Sequence, residues 1–275
     1  MHWTTSRFDI DLSSPRVMGI VNVTPDSFSD GNSFRDLSST LKHCELLLKK
    51  GAHILDIGGE SSRPGAQSIS VEEELRRVLP VVKEAVRYDV PLSIDTCKPQ
   101  VMRAVLDAGA DIINDIWALR QPGAMDVVSQ HSRCGVCLMH MHAQPQDMQI
   151  RPMQGMVANE VLYFLKTRLQ ILIEQGVDAQ RIALDPGIGF GKTVDQNFEL
   201  LVQQRQLNAL GQPILVGWSR KSSLGVVTGC EVDERLVPSV VAAILAAERG
   251  ARILRVHDVE ATLQALAVWQ HAQPH

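Results

Sequence analysis

Eight short apolar runs alternate with segments whose apolar residues recur at helical spacing along this chain of 275 residues. Strands that alternate with helices favour parallel pairing, because each helix carries the chain back to the start of the next strand. The helical segments lie at 37–50, 71–86, 99–108, 123–131, 160–175, 196–210, 237–249 and 260–271. The strands are predicted over 16–23, 53–57, 90–95, 112–114, 135–140, 181–185, 213–217 and 251–257.

Eight strand–helix units without a break in composition predict one domain over residues 1–275, an α/β fold of the closed (β/α)₈ TIM barrel type. Residues 1–15 are polar and form a lead-in, in which a short antiparallel strand is expected. The alternative is a doubly wound open sheet, for which eight strands would be large at this length. In a barrel every strand would end on the same rim, so polar residues at the strand ends would be neighbours.

Composition excludes several classes of function. The hydrophobic fraction of 45% and charged fraction of 21% are ordinary for a globular protein that needs no disulfide or metal to fold. A net charge of −4 gives no overall attraction to nucleic acid or to an anionic membrane. The five cysteines are odd in number and scattered, and no signal leader or membrane-length apolar run occurs. We expect a cytoplasmic protein without a nucleic-acid or membrane partner.

Polar residues stand where the predicted strands end. The most distinctive stretch is Asp185 to Lys192, in which a strand delivers a carboxylate and three spaced glycines let the backbone bend closely around a flat ligand. The same arrangement recurs along the chain, and the hypothesis is that these residues converge on one pocket. The other strand ends carry Asn22, Asp56, Asp95, Asn114, His140 and His257.

Cations at these ends predict an anion site. Arg255 and His257 alternate on the last strand and therefore share a face, where charged groups are costly without a partner. Together with Arg63, Lys221 and Asn22 they form a plausible cradle for a phosphate-bearing ligand. Two further cations, taken alone, are expected in surface ion pairs. These are Lys192 and Arg220.

Acidic and amide side chains at other strand ends predict a second binding region, for the opposite end of the same ligand. Asp95, Asn114 and Asp185 could accept hydrogen bonds from N–H donors, so the ligand would carry an anion at one end and donors at the other. The alternative for Asp95 is that, with Thr96 after it, it only caps the next helix.

Cys134, Cys137, His140 and His142 have zinc-like spacing. Two thiols three residues apart point to opposite faces of an extended strand, so packing is favoured over metal binding. No nucleophile elbow, Walker loop or dinucleotide fingerprint occurs. Trp117 and Trp218 follow strands, and each could stack on a flat ring or close the top of the barrel.

Taken in order, these motifs resemble the bacterial dihydropteroate synthase family of pterin-binding TIM barrels. The resemblance extends from Arg16 to about Val259. Its departures are Ser62, where the family usually has Thr, and Trp218, where a smaller or more flexible residue is expected. The motifs are 19–31, 56–65, 93–96, 113–115, 138–141, 185–192, 219–222 and 255–257.

The resemblance implies a transferase of folate synthesis, which condenses (7,8-dihydropterin-6-yl)methyl diphosphate with 4-aminobenzoate and releases diphosphate. It implies no covalent nucleophile, Mg²⁺ contacted by Asn22, sulfonamides as competitors of aminobenzoate, and a homodimer. The implied pterin site is Asp95, Asn114, Met139, Asp185 and Lys221. The implied diphosphate site is Asn22, Ser62, Arg63, Arg255 and His257. The implied aminobenzoate site is Phe28, Pro64, Lys221 and Ser222.

Two other functions stay open from the sequence. Related pterin-binding barrels transfer a methyl group to a corrinoid, but should lack the full set of diphosphate ligands. A non-catalytic pterin-binding protein is the other, and the intact cation set argues against it. The apolar faces of the helices at 157–173 and 237–248 could extend beyond the core and support a dimer.

Overall fold

The computed structural model describes residues 1–23, 33–62, 65–143 and 152–273, with side chains described from residue 37 in the second range. Eight parallel strands close into a barrel in chain order, with the last strand paired both to the first strand of the barrel and to the strand before it. The closure confirms the barrel and excludes the open sheet. The strands are β3 (Arg16–Asn22), β4 (Ile54–Gly58), β5 (Leu92–Asp95), β6 (Ile112–Asp115), β7 (Gly135–Met139), β8 (Ile182–Asp185), β9 (Ile214–Val216) and β10 (Ala251–Val256).

Helices surround the barrel and bury their apolar faces against the outer side of the strands, where most of the buried side chains lie. Two of the helices begin at residues suited to capping. Ser70 accepts a hydrogen bond from the Glu73 N–H, and Thr193 forms a reciprocal capping box with Gln196. The helices are α1 (Ser33–Lys49), α2 (Val71–Ala85), α3 (Pro99–Asp107), α4 (Ala124–Gln130), α5 (Val157–Glu174), α6 (Val194–Gln203), α7 (Ser222–Thr228), α8 (Leu236–Glu248) and α9 (Val259–His271).

Two stretches differ from the sequence prediction. The helix expected over 196–210 starts at Val194 and changes at Gln204 into a 3₁₀ helix that runs to Leu210. The short helix α7 was not predicted at all. Its seven residues are too few to show a helical period, they include a glycine, and Lys221 precedes them without a side-chain cap.

A hairpin closes the barrel at the amino-terminal ends of its strands, which confirms the short antiparallel pairing expected in the lead-in. Strands β1 (His2–Thr4) and β2 (Asp9–Asp11) pair antiparallel. Trp3 is fully buried, and its indole N–H donates to the Arg181 carbonyl at 2.9 Å. Trp3, Ile10 and Leu12 pack with residues of seven barrel strands in one apolar cluster. The members from the barrel are Met18, Ile54, Ile112, Cys137, Ala183, Leu215 and Ile253.

A charged contact ties the same hairpin segment to the barrel. The Arg7 guanidinium donates to both carboxylate oxygens of buried Asp111, at 3.0 and 2.6 Å. Asp111 also accepts from the Leu92 N–H at 2.9 Å, so this acid organises the start of the neighbouring strand β5. No helix in the described parts of the chain combines the length and apolar character needed to cross a membrane.

Candidate active site

The strand register brings the predicted polar ends together on the carboxyl-terminal rim of the barrel. Asp95 lies beside Gly58 on one side and beside Asn114 on the other. Met139 lies beside Asp185 in the same way. The register therefore makes neighbours of residues that are far apart in sequence, as a parallel barrel requires.

Asp56 is the centre of a hydrogen-bond network at this rim. It is fully buried inside strand β4 and accepts from Ser93 Oγ at 2.6 Å and from Asn114 Nδ2 at 3.3 Å. Arg255 Nε donates to the same carboxylate at 2.6 Å. Because these partners come from β5, β6 and β10, one carboxylate joins four strands, and its buried charge is compensated by a guanidinium.

Arg255 also binds Asp95, which gives the charged face of β10 the partners it needs. Its Nη2 donates to Asp95 Oδ2 at 2.8 Å. The capping interpretation of Asp95 is wrong, because α3 is preceded by Lys98 and has no side-chain cap. Burial raises the pKa of Asp95, although the Arg255 charge opposes the shift. Two acids and one guanidinium thus meet at the top of the barrel interior.

Asp185 ends β8 at the same rim, and its carboxylate accepts from the Gly187 N–H at 2.7 Å. Burial raises its pKa to about 6, and the nearby Lys221 is one of the cations that oppose the shift. Gly187 has a φ of +71°, and a Cβ there would lie 1.8 Å from the His140 carbonyl oxygen. Only glycine therefore allows the backbone to fold back over β7 and hold the carboxylate in place.

Lys192 and His140 lie behind this turn. Lys192 is 2% exposed, and its Nζ contacts the Gly187 and Phe190 carbonyls at 2.8 and 3.1 Å and His140 Nδ1 at 3.0 Å. The expected surface ion pair of Lys192 is therefore wrong, because three buried acceptors draw its ammonium inward. His140 packs its ring edge-on against Phe164, so it supports the loop from behind.

An apolar group of side chains faces the same rim. Met139, Met141 and Phe190 are buried together, with Ile116 and Trp117 packed against them. The ammonium of Lys221 lies 4.3 Å from the centre of the Phe190 ring. Burial lowers the pKa of Lys221 to about 8. A flat apolar wall with a cation at its edge suits a planar heterocycle.

The sequence left two possible roles for Trp117 and for Trp218, and the two side chains lie in different places. Trp117 lines a cavity beside Asp95 and is stacked by the Arg120 guanidinium. Trp218 is 1% exposed and packs against Phe198, with ring centroids 5.4 Å apart. Trp218 therefore fills the layer between barrel and helices, and the larger side chain does not reach the pocket mouth.

Several of the predicted phosphate ligands lie around this network. Asn22 is exposed at the end of β3, beside Gly58. His257 Nδ1 is 2.9 Å from Ser219 Oγ.

Arg220 forms the expected surface ion pair, with Asp258 at 2.9 Å. Ser222 is the exposed first residue of α7. Three predicted site residues lie outside the described residues, and these are Phe28, Arg63 and Pro64.

A cavity of about 480 Å³ opens beside Asp95, between the loops that follow β4, β5 and β6. Ser62, a predicted phosphate ligand, lines it together with Glu60 and Lys98. It borders the Asp56–Asp95–Arg255 network without containing all of the predicted pterin residues. The cavity is the space next to the site rather than the site itself.

Cys134 and Cys137 lie on opposite sides of the barrel wall, as their spacing predicts. Cys137 packs in the apolar cluster inside the barrel, and Cys134 packs in the outer layer near Arg181. Burial raises the pKa of both thiols. Among the described residues no three His, Cys, Asp or Glu side chains are placed to hold a metal ion.

The donor set at the rim suits Mg²⁺ carried by a phosphate. Asn22 offers an exposed amide oxygen, a hard ligand of the kind that Mg²⁺ accepts. This ion is commonly held by one or two protein oxygens together with waters and substrate phosphates. The exposed Asn22 amide is therefore a group that could serve as one ligand of such an ion.

Sequence reasoning placed Asp56 at a strand end but assigned it no role. The available signal was its position in Ile54-Leu55-Asp56-Ile57, where a charge inside an apolar strand needs a buried partner. It also gave no role to Lys98, which contacts Glu60 and Glu74. These three residues are separated by 14 to 38 positions, and nothing in the local pattern links them.

Residues 18–257 match the model of the family described as pterin binding enzymes. By this match the barrel and its polar rim are those of a pterin-binding enzyme. The dihydropteroate synthase of Neisseria meningitidis serogroup C is 48% identical over 98% of this chain and 96% of its own length.

Two solved structures are similar to this chain. The Burkholderia cenocepacia dihydropteroate synthase complexed with 7,8-dihydropteroate has a TM-score of 0.90 and 48% identity, covering 98% of this chain and 95% of its own. The Yersinia pestis dihydropteroate synthase in a sulfonamide drug complex has a TM-score of 0.93 and 43% identity, covering 98% of each chain. The chain belongs to the dihydropteroate synthase family.

Proposed function

We propose that this chain condenses (7,8-dihydropterin-6-yl)methyl diphosphate with 4-aminobenzoate to give 7,8-dihydropteroate and diphosphate. The observation that carries the proposal is the buried network in which Arg255 joins Asp56 and Asp95 beside Asn114. The product, dihydropteroate, is the ligand of the similar Burkholderia cenocepacia enzyme, and it contains the dihydropterin and aminobenzoate portions of the two substrates.

The pterin is assigned to the acidic part of the rim. Its ring edge carries N–H donors, which Asp95, Asn114 and Asp185 can accept, while Lys221 can donate to ring acceptors. Met139 would pack on the ring face, since it is buried beside Phe190 in the apolar wall. Binding by several strand ends would fix the exocyclic methylene in one orientation.

The diphosphate is assigned to Asn22, Ser62, Arg63, Arg255 and His257. As the bond between the methylene carbon and the diphosphate oxygen breaks, negative charge grows on the leaving group and positive charge on the pterin methylene. Arg255 and His257 stabilise the first charge, and the carboxylates of Asp95 and Asp185 stabilise the second. Bound Mg²⁺, with Asn22 among its ligands, would neutralise further charge on the phosphate oxygens.

The arylamine nitrogen of 4-aminobenzoate then forms the new bond to the methylene carbon and loses a proton to water. Phe28, Pro64, Lys221 and Ser222 are assigned to this substrate, and the Ser222 hydroxyl could donate to its carboxylate. No side chain has to form a covalent intermediate, because the electron pair of the breaking bond leaves with diphosphate. Sulfonamides share the arylamine and would compete at the same place.

The test is a simultaneous assay of diphosphate release and dihydropteroate formation. With both substrates and Mg²⁺ we expect the two products in equal amounts, with inhibition by a sulfonamide that rises when aminobenzoate is lowered. Removal of Mg²⁺ by a chelator should slow both signals, and added Mg²⁺ should restore them. Calorimetric binding of the pterin diphosphate without either product would instead mean a pterin-binding protein, and would overturn the proposal.

A homodimer is proposed from the exposed apolar residues of neighbouring helices α7 and α8. Val226 and Val227 are 68% and 55% exposed on α7, and Val237 and Val241 are 69% and 51% exposed on α8. A second copy that covers this patch would remove four exposed valine side chains from water. Val237→Asp should convert the dimer to a monomer in sedimentation equilibrium, whereas a monomeric wild type would refute it.

A cytoplasmic location is also proposed. The five cysteines are free thiols, and three of them, Cys44, Cys134 and Cys137, are buried in the core. Unpaired thiols of this kind suit a reducing compartment.

A further inference from the structure

The side-chain amide of Asn197 joins two segments of the candidate active site. Asn197 lies in the first turn of α6 and is 1% exposed. Its Oδ1 accepts from the Gly189 N–H at 2.7 Å, in the turn that follows β8. Its Nδ2 donates to Ser223 Oγ at 3.0 Å, in the first turn of α7, and to the Thr193 carbonyl at 2.8 Å. One buried amide therefore connects the β8 turn, α6 and α7.

The hydrogen bonds of Asn197 hold their partners firmly because they lie away from solvent. Ser223 is buried like Asn197. The two hydrogens of the amide nitrogen serve Thr193 and Ser223, and its carbonyl oxygen serves Gly189, so the amide has no spare donor. Breaking such a bond leaves a buried polar group unpaired, which costs more than the bond itself contributes. The distance between the β8 turn and α7 is therefore fixed through Asn197.

The same two segments also meet at Lys221. This residue directly precedes α7, so its backbone is placed by that helix. Its side chain extends along the β8 turn, because a Cβ built on Gly189 would lie 3.1 Å from Lys221 Cδ and 3.4 Å from its Nζ. The Nζ lies 4.3 Å from the centre of the Phe190 ring in the same turn. The separation of the turn from α7 thus decides where the Lys221 ammonium lies.

We propose that Asn197 is a positioning residue for pterin binding, which holds the β8 turn and the start of α7 at the separation that places Lys221 beside Phe190 and Asp185. Its hydrogen-bond partners are not among the residues assigned to a substrate, so it acts through the backbone of the turn and through α7. This inference rests on the proposed function, because it takes Asp185 and Lys221 to be pterin ligands.

The experiment measures binding of the pterin diphosphate to Asn197→Leu by calorimetry, with Mg²⁺ and without aminobenzoate. We expect the dissociation constant to rise roughly 10-fold over wild type, since a displacement of about 1 Å in a positioning group can cost a factor of up to about 10². The variant should also unfold at a lower urea concentration, because the Gly189 N–H loses its acceptor. Binding is therefore measured where circular dichroism shows the variant to be folded.

The matched control is Gln204→Met, which removes another buried amide from the same part of the chain. Gln204 directly follows α6, is 2% exposed, and its Nε2 donates to the Ala246 carbonyl of α8 at 2.9 Å. It lies at the end of α6 that is farther from the rim, because the helix starts at the rim and runs away from it. This variant should also unfold at a lower urea concentration, but its dissociation constant for the pterin diphosphate should be unchanged.

Ser223→Ala is a second variant, in case Asn197→Leu folds poorly. It removes the contact with α7 and keeps the hydrogen bond to Gly189, so the dissociation constant should rise by a smaller factor, roughly threefold, as expected for one hydrogen bond. The double variant should bind no worse than Asn197→Leu, since both changes break the same connection.

The outcomes separate this inference from the proposed function. A wild type that binds no pterin diphosphate would refute the proposed function itself. A folded Asn197→Leu protein that binds it as tightly as wild type would overturn the inference and leave the function standing, and so would an unchanged affinity in Ser223→Ala. An equal loss of affinity in Gln204→Met would also overturn it, because loss of any buried amide nearby would then be sufficient.

Discussion

The two ends of the barrel are built from opposite chemistry. At the amino-terminal end, Trp3 and Leu12 of the hairpin are fully buried against apolar residues of the barrel interior. At the carboxyl-terminal end, the interior holds Asp56, Asp95 and Arg255. The barrel interior thus changes from an apolar plug, formed by the hairpin and residues of seven strands, to a cluster of buried charges within the length of a few residues.

This difference shows how stability and function are separated in the fold. Apolar burial at the plug stabilises the barrel by an amount related to the area removed from water. Buried charges at the rim contribute little net stability, because desolvation offsets their attraction. Changes at the plug should therefore alter the free energy of unfolding with little effect on turnover. Changes at the rim should alter turnover or substrate affinity, in addition to any stability lost by leaving a buried charge without its partner.

The largest expected effect is on stability at the plug. Trp3→Ala removes a fully buried indole and its hydrogen bond to the Arg181 carbonyl, and should lower the free energy of unfolding by about 3–5 kcal/mol. Urea denaturation measures the loss. The kcat of the folded variant, measured well below its unfolding midpoint, should stay within about twofold of wild type, and a large fall in kcat would break the separation of the two ends.

At the rim, Arg255→Ala should lower kcat/KM by about 10²–10³-fold, because the leaving diphosphate loses a cation. The two carboxylates that now face Arg255 also lose their shared partner. Initial rates of diphosphate release measure the effect. Near-normal turnover in this variant would refute the role of Arg255. The matched control is Arg255→Lys, which keeps the positive charge but loses the planar guanidinium that donates two hydrogen bonds side by side.

The next prediction concerns the pH dependence of stability that follows from the raised pKa of Asp185. Its pKa is raised from 3.8 to about 6 by burial, so between these values the folded state holds a proton that the unfolded state has lost. The stability contributed by this group is present below pH 3.8 and is lost as the pH rises through about 6. The free energy of unfolding of wild type minus that of Asp185→Asn should therefore fall by about 2–3 kcal/mol.

Urea denaturation of both proteins from pH 3 to pH 7 supplies that difference. Groups away from Asp185 contribute equally to both proteins and cancel in the subtraction, whereas Lys192 and Lys221 feel its charge directly. A difference that stays flat, or that grows with pH, would mean that Asp185 is ionised throughout and that the rim is better solvated than its burial indicates.

The smallest effect concerns Lys192, which belongs to the rim but acts on structure. Lys192→Met keeps the length of the side chain but leaves the Gly187 and Phe190 carbonyls without their buried donor, which should cost about 2 kcal/mol. Pterin affinity should weaken, because the turn that holds Asp185 loosens. Calorimetry and urea denaturation of the same variant check both, and unchanged pterin affinity would show that the turn is held without Lys192.

Sequence patterns were sufficient for the order of the strands and for the residues at their ends. The alternation of apolar runs with helical segments predicted the bounds of all eight barrel strands to within two residues. Each run is a buried strand bounded by polar or glycine-rich turns. The pattern could not find α7, which is shorter than two helical turns. It also placed Lys192 on the surface, since its three acceptors come from backbone and histidine atoms that no charge pattern marks.

Cross-barrel partners were the hardest to predict. Arg255 was recognised as needing a partner, but its partners Asp56 and Asp95 lie 199 and 160 residues away. Which side chains of non-adjacent strands meet inside the barrel depends on its closure and stagger, and these follow from the packing of all eight strands together. The assignments to Phe28, Arg63 and Pro64 stay predictions from the sequence resemblance.

A crystal structure of the complex with the pterin diphosphate would show whether the carboxyl-terminal strand ends bind both ends of this substrate. We expect the ring to lie between Asp95, Asn114 and Asp185, against Met139, with the diphosphate near Arg255 and His257. A ring seated only in the cavity between Glu60 and Trp117, away from Asp185, would contradict it.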